Sequence, residues 1–317
     1  MSEQLSLPWK LLKNPVLSIG EWAIKDPCMV FHNGEFFLFF SAFYEDEDEE
    51  RSHIICVKTR DFTTFSDPLF VWDGKKDGWS GLCSPNISEI KGKYYLTYNS
   101  WGEIHSNGKR NSMFYAVSPD LASWQKDIPL AHDVSANARA IDPALAEFNG
   151  NWYLVFKGPE TPFIVTAKSI DGPWRILGVP DCGWLINGEF IYIDGSWYLV
   201  GTARGLVPFI SRMKHSGEQP DDWIAWEPQK RLMLPLEHFN TCVRTHCIFI
   251  YDNRKIDNSF YALYVGSTEN ISHLGRGNCR LGIACSPDLV SWYVPPHLSG
   301  EKVPVSFNPQ VQEVHRG

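Results

Sequence analysis

Short apolar runs alternate with turn residues along most of the chain, and one unit of this pattern recurs five times. Its clearest copy is residues 140–158 (AIDPALAEFNGNWYLVFKG), which contain an Asp-Pro pair, a strand-like run, an Asn-Gly turn and a second, aromatic-rich run. Asn-Gly between two strand-like runs predicts a hairpin, because both turn residues adopt positive φ at low cost. The pattern therefore predicts pairs of antiparallel strands.

The turn residues of the five copies are spaced 58, 58, 45 and 63 residues apart: Gly34, Gly92, Gly150, Gly195 and Asn258. Each hairpin is followed by another apolar run and then by an acidic turn position: Asp61, Asp120, Asp171, Asp222 and Asp288. In four copies a Trp that we expect to pack between sheets follows this turn: Trp124, Trp174, Trp226 and Trp292. Each repeat thus offers three clear strands and an outer fourth strand.

A repeat of this size with about four short strands is typical of one propeller blade. We predict an all-β protein, a single domain over residues 1–317 that forms a five-bladed β-propeller with about four antiparallel strands per blade. The predicted repeats are approximately 22–80, 81–138, 139–183, 184–240 and 241–295. Residues 1–21 and 296–317 are expected to pack on the propeller or to close it. A β-sandwich is the weaker alternative.

Composition narrows the classes of function. The formal net charge is −8 and no basic run is present, which argues against a nucleic-acid partner. No apolar run reaches the length of a membrane span, and the N-terminal sequence lacks a signal-peptide pattern. The eight cysteines form no Cys-x-x-Cys pair and are expected to be reduced thiols. We therefore expect a cytoplasmic protein, and the oligomeric state stays open.

Polar residues stand at the start of each predicted inner strand, where a propeller gathers its strands around one channel: Asp26, Ser84 to Asn86, Asp142, Asn187 to Glu189, and Thr245 to His246. A lone Asp-Pro pair is most simply a turn initiator. Asp26 and Asp142, however, both precede their turn glycine by eight residues. Carboxylates gathered in one concave place are costly unless a shared proton, a cation or catalysis uses them.

The order of these motifs resembles glycoside hydrolase family 43 and its five-bladed clan relatives, families 32, 62, 68 and 117. The motifs are Asp26-Pro27, Ser84-Pro85-Asn86-Ile87, Asp142-Pro143 and Glu189, within a resemblance that spans about residues 22–295. It implies inverting hydrolysis of a furanoside or pentoside, such as an arabinofuranoside or xyloside. Asp26 would be the general base, Glu189 the general acid, and Asp142 would raise the pKa of that acid and orient it. Inversion implies base and acid carboxyl groups about 6.5–9.5 Å apart.

The sequence departs from the family pattern next to the candidate acid, and other activities stay open. Family members follow the acid with a small residue and Pro, whereas Phe190 follows Glu189 here, so Glu160 is a second candidate for the acid. Another clan activity, of the fructosidase or anhydrogalactosidase type, is a second interpretation. A carbohydrate-binding propeller without catalysis is the third.

Several other residues are candidates for binding an oligosaccharide or glycoside. Trp22, Trp79, Trp101 and Trp184 lie in loops beside inner strands, where indole rings stack on sugar faces. Asn86 belongs to the motif set, and Arg204 and Arg244 could contact sugar hydroxyls or form salt bridges. His246 is either a core histidine or a neighbour of a central Ca²⁺ ion or water cluster. No cofactor is required, and a structural Ca²⁺ in the channel stays open.

Overall fold

The computed structural model of the chain describes residues 7–20, 22–46, 49–75, 78–102, 111–135, 139–269, 279–295 and 297–298. The strands in chain order are β1 (Lys13–Asn14), β2 (Ala23–His32), β3 (Glu35–Asp46), β4 (Glu49–Thr59), β5 (Phe70–Asp73), β6 (Gly81–Ile90), β7 (Lys93–Trp101), β8 (Met113–Ser118), β9 (Gln125–Pro129), β10 (Ile141–Phe148), β11 (Asn151–Lys157), β12 (Pro162–Ala167), β13 (Arg175–Gly178), β14 (Ile186–Ile193), β15 (Ser196–Ala203), β16 (Val207–Arg212), β17 (Lys230–Arg231), β18 (Val243–Asp252), β19 (Phe260–Ser267), β20 (Arg280–Ser286) and β21 (His297–Leu298). Helical elements are short: α1 (His132–Ser135), α2 (Arg254–Asp257) and the 3₁₀ helix Pro220–Ile224. The fold is nearly all-β, as predicted.

The chain divides into two compact units, one of residues 1–73 and 233–317 and the other of residues 74–232. The second unit contains three repeats of one design. In each repeat four strands pair antiparallel in sequence order: β6 to β9, β10 to β13, and β14 to β17. The strands β10 and β6 pack together, as do β10 and β14. The three first strands are therefore neighbours in space.

The first unit contains the other two repeats. Strands β2, β3, β4 and β5 pair antiparallel in that order, and β18, β19 and β20 form the sheet of the fifth repeat. Among the described residues this sheet has three strands rather than the expected four. Its edge strand β20 instead pairs with residues at both of its ends, through bridges of Leu17 to Leu281 and of Tyr293 to Cys285. Strand β1 pairs with β21 in parallel.

The predicted hairpin turns are confirmed. In four repeats both central residues of the turn have positive φ, which is the geometry of a type I′ turn: Asn33 and Gly34, Lys91 and Gly92, Asn149 and Gly150, and Asp194 and Gly195. In the fifth repeat Asn258 instead ends helix α2 at φ 61°. The looser sequence of that repeat reflects this inserted helical turn.

Aromatic side chains fill the space between neighbouring sheets. In the second unit the ring of Tyr153 stacks on that of Trp223 with centroids 3.7 Å apart, and Trp197 and Trp226 complete the cluster. In the first unit the ring of Phe36 contacts that of Tyr261 from the fifth repeat. The repeat-closing residues Trp174, Trp226 and Trp292 are buried, as expected of residues that pack between sheets: 5%, 1% and 7% exposed. Within the described chain no helix is long and apolar enough to span a bilayer.

Candidate active site

A β-bulge interrupts the first strand of every repeat, and each bulge holds a non-glycine residue at positive φ. These residues are Asp26 (48°), Ser84 (55°), Asp142 (57°), Asn187 (49°) and Cys247 (50°). A bulge re-aims side chains and leaves part of the ladder unpaired. A non-glycine residue at positive φ costs about 1–3 kcal/mol, and such strain clusters at functional sites. The five repeats therefore share one backbone feature, and two of its residues are the aspartates singled out by sequence.

Proline follows three of these residues, at Pro27, Pro85 and Pro143. All three prolines lie inside the register shift of their strand. Proline has no N–H, so it fits a position where the ladder would leave a donor unpaired. The Asp-Pro and Ser-Pro pairs are therefore signals of a bulge within a strand, and not of the turn that such pairs most often indicate.

Asp142 is held by hydrogen bonds with the two neighbouring repeats of the second unit. Its side chain is buried, and Oδ1 accepts a hydrogen bond of 2.8 Å from the Ser84 hydroxyl. Oδ2 accepts a 3.3 Å bond from the backbone N–H of Asn187. The backbone N–H of Asp142 donates in turn to Oδ1 of Asn99 at 3.0 Å. Hydrogen bonds to an ionised carboxylate are stronger than neutral ones, so this carboxylate is fixed in position.

Glu189 is buried on β14, two residues beyond Asn187, and pairs across the sheet with Val200. Gly188 precedes it within the bulge. A Cβ at position 188 would lie 3.0 Å from Leu185 Cδ1 and 3.1 Å from Val155 Cγ1, so glycine lets the strand approach its neighbour closely. Glu160, the second candidate for the acid, is exposed between β11 and β12. The two candidate glutamates therefore differ sharply in burial.

Asp26 occupies the corresponding bulge in the first unit and is partly exposed. The Ser41 hydroxyl donates to its Oδ2 at 2.7 Å, and the buried Cys247 thiol donates to its Oδ1 at 3.1 Å. Burial raises the pKa of Cys247 well above its usual value, and the charge of Asp26 adds to this effect. Sequence reasoning missed Cys247. It placed the fifth strand's polar position at Thr245 and His246, but a second register shift in β18 moves the bulge to Cys247.

His246 lies beside Lys25 and Asp26. Burial lowers the pKa of its imidazole to about 4; the charge of Lys25 lowers it further and that of Asp26 opposes the shift. Its Nδ1 is buried and makes no hydrogen bond within the described part of the chain. Ca²⁺ takes six to eight oxygen ligands. A neutral imidazole next to a lysine does not supply them, and the described residues contain no group of three His, Cys, Asp or Glu side chains placed to hold an ion.

Cations and indole rings lie together in the second unit. Lys157 Nζ is 5.4 Å and Arg204 Cζ is 5.1 Å from the centroid of the Trp184 ring, and Arg139 Cζ is 5.9 Å from that of Trp101. Lys157 pairs across the sheet with Ile141, the residue before Asp142. Burial lowers the pKa of Lys157, which Asp142 opposes and Arg139 reinforces. Sequence reasoning identified Trp101, Trp184 and Arg204, but it missed Lys157 and Arg139.

The remaining candidates have different surroundings. Trp22 is partly exposed and stacks on Tyr44 with ring centroids 4.1 Å apart, while Trp79 is buried and offers little ring face. Asn86 is partly exposed on β6. Arg244 lies in β18, and its side chain is outside the described residues.

Residues 14–162 match the family model described as glycosyl hydrolases family 43. The match contains Asp26, Asn86 and Asp142, and it ends before Glu189. Over these residues, just under half of the chain, this glycoside hydrolase is similar to family 43. The resemblance inferred from the motifs is thereby confirmed. No curated protein matches the chain in sequence.

Solved structures of the clan have the same fold. A glycosyl hydrolase from Bacteroides ovatus is 18% identical, with a TM-score of 0.61 over 90% of this chain and 92% of that chain. Zg3597, a family 117 glycoside hydrolase produced by Zobellia galactanivorans, is 15% identical, with a TM-score of 0.60 over 88% of each chain. A family 62 hydrolase in complex with xylotriose is 12% identical, with a TM-score of 0.59 over 86% of this chain and 96% of that chain. At these identities the likeness concerns the fold.

Proposed function

We propose that this glycoside hydrolase cleaves a furanoside or pentoside, of the arabinofuranoside or xyloside class, by single displacement with inversion. We further propose that its five repeats are the blades of one propeller. The observation that carries the proposal is that Asp26 and Asp142, both within the family 43 match, occupy the same bulge of their repeats. Each carboxylate is anchored there by a serine hydroxyl.

Asp26 is assigned the role of general base. A base must be ionised and must reach water. Asp26 is partly exposed, and Ser41 and Cys247 each donate to one of its oxygens, which orients the carboxylate.

Glu189 is assigned the role of general acid, and Asp142 that of its electrostatic partner. A general acid must be protonated when substrate binds, and removal from water disfavours the charged form of a carboxyl group. Glu189 is buried, whereas Glu160 is exposed to solvent. The fixed Asp142 lies one strand away on β10, which packs beside β14. Asn86, Trp22, Trp101, Arg204 and Arg244 are proposed sugar contacts, whereas Trp79 is not proposed because it is buried.

The test uses two leaving groups. A general acid matters most when the leaving alcohol is a poor anion. Glu189→Ala should therefore abolish most turnover of a natural arabinoside or xyloside and spare most turnover of the corresponding dinitrophenyl glycoside. Asp26→Ala should impair both substrates alike. Glu160→Ala is the matched control and should resemble wild type on both.

The stereochemistry is followed by recording the anomeric NMR signals of the first product formed. Retention of configuration would contradict single displacement. If Glu160→Ala, and not Glu189→Ala, lost turnover of the natural glycoside while keeping turnover of the dinitrophenyl glycoside, Glu160 would be the acid. Binding of oligosaccharides without release of any product would identify a carbohydrate-binding protein.

A further inference from the structure

Three cations of the second unit stand apart from the ion pairs of the protein. Lys157, Arg139 and Arg204 make no ion pair within 4 Å in the part of the chain that the structure describes. Lys214 of the same unit, by contrast, is paired with Asp181 at 2.5 Å. In a chain with a formal net charge of −8, acidic partners are not scarce. Among the described residues these three cations therefore lie without a carboxylate in ion-pair contact, although the chain has an excess of carboxylates overall.

The topology brings these cations to the end of the sheets that carries Asp142. Lys157 is the last residue of β11, Arg204 directly follows β15, and Arg139 precedes β10. Because β10 and β11 are antiparallel, the end of β11 lies beside the start of β10. The same relation holds for β15 and the start of β14, which carries Glu189. The cations thus lie at the same end of these sheets as the strand segments that carry Asp142 and Glu189.

Of the three cations, Lys157 has the energetically least favourable surroundings. Its side chain is partly buried, and burial lowers its pKa, so the ammonium has lost part of its hydration. A desolvated charge is unfavourable unless an opposite charge compensates it. Asp142 acts on Lys157 through its charge, but its oxygens already accept hydrogen bonds from Ser84 and Asn187. Arg204 lies against the same indole ring as Lys157, so two like charges are also held close together.

We infer that Lys157, Arg204 and Arg139, with the rings of Trp184 and Trp101, form a subsite for an anionic sugar. We name this group the cationic cluster. Indole faces stack on sugar rings, and guanidinium and ammonium groups give charge-assisted hydrogen bonds to oxyanions. The ligand is a saccharide that carries a carboxylate, as in a uronic acid, or a sulfate ester. The inference rests on the proposed function and narrows its substrate class to acidic oligosaccharides.

The test measures binding separately from turnover. Calorimetric titration of the full chain with xylo- and arabino-oligosaccharides would compare each uronic-acid-bearing or sulfated member with its neutral counterpart of equal length. The acidic member should bind at least about tenfold more tightly at low salt. This preference should shrink as ionic strength rises, because salt screens exposed charges. Arg204→Gln and Lys157→Gln should remove the preference, because each should weaken binding of the acidic member far more than binding of the neutral member.

Lys214→Gln is the matched control, because Lys214 belongs to the same unit but is paired with Asp181. It should keep the full preference. Arg204 is exposed, so Arg204→Gln keeps the test valid if Lys157→Gln fails to fold. Equal affinity for acidic and neutral members would overturn the inference, as would tight binding of inorganic phosphate or sulfate alone with no preference among the sugars. Hydrolysis of neutral glycosides without that preference would contradict the subsite but not the proposed function. Preferential binding of the acidic members without any hydrolysis would contradict the proposed function but not the subsite.

Discussion

Replacement of Ser84 by Ala removes one anchor of the Asp142 carboxylate. Both side chains are buried, 7% and 8% exposed, so water cannot easily replace the lost hydroxyl. A hydrogen bond to a charged group contributes about 1.5–3 kcal/mol to stability, against about 0.5–1.5 kcal/mol for a neutral one. Both serine and alanine carry a Cβ, so the strain of φ 55° at this position is present in both proteins. The free energy of unfolding should therefore fall by about 1.5–3 kcal/mol.

Ser88→Ala is the matched control. Ser88 lies four residues along the same strand, and its hydroxyl also donates to β10, but to the backbone oxygen of Leu145 at 3.0 Å. Its loss should cost about 0.5–1.5 kcal/mol. Urea unfolding followed by tryptophan fluorescence measures both changes. Ser84→Ala should also lower kcat, since Asp142 is no longer fixed, while Ser88→Ala should leave kcat near the wild-type value. Equal losses of stability and activity in the two variants would refute the claim that Ser84 anchors a charged carboxylate.

Three further predictions concern single positions. Gly188→Ala should destabilise the protein by about 1–3 kcal/mol through contacts of the new Cβ with Leu185 and Val155, and should lower activity by displacing Glu189; urea midpoints and kcat check both. The lowered pKa of His246, about 4 against the ordinary 6.5, means that the neutral form is favoured on folding. The contribution of His246 to the free energy of unfolding is complete above about pH 6.5 and is lost as the pH falls through about 4. His246→Gln should therefore flatten the pH dependence of the free energy of unfolding between these two pH values. Among the eight free thiols Cys242 is the exposed one and should react first with a thiol reagent under native conditions; a fast phase that persists in Cys242→Ser would contradict this.

The hairpins could be predicted because their signals are local. The Asn149-Gly150 pair adopts the two positive φ values that a type I′ turn needs, and the same holds for Asn33 and Gly34. Recurrence of the unit then indicated repeated sheets. The inner-strand positions of Asp26 and Asp142 followed from counting back from the turn glycine. Local turn chemistry and a constant strand length were sufficient for this part of the fold.

Counting back from the turn residue did not locate the bulge in β18, because that strand is irregular. The two register shifts of β18 depend on how that strand packs in its sheet, and no residue type in the sequence TCVRTHCIF marks them, so Cys247 was not recognised as the partner of Asp26. Lys157 was missed for a related reason. It is one of many charged residues at strand ends, and its importance comes from partial burial beside Trp184 and from the lack of an ion pair with any described residue. These are properties of tertiary packing.

The pairing of Leu17 with Leu281 has a consequence for synthesis of the protein on the ribosome. The backbone N–H of Val16 donates to the Leu281 oxygen at 2.8 Å, and the Leu17 oxygen accepts from the Leu281 N–H at 3.0 Å. At about 5–20 residues per second, roughly 13–50 s separate the emergence of these two segments. During that interval Val16 and Leu17, which are buried in the finished protein, lack the strand with which they pair. Nascent chains of this protein should accordingly depend on a holding chaperone until β20 has been translated.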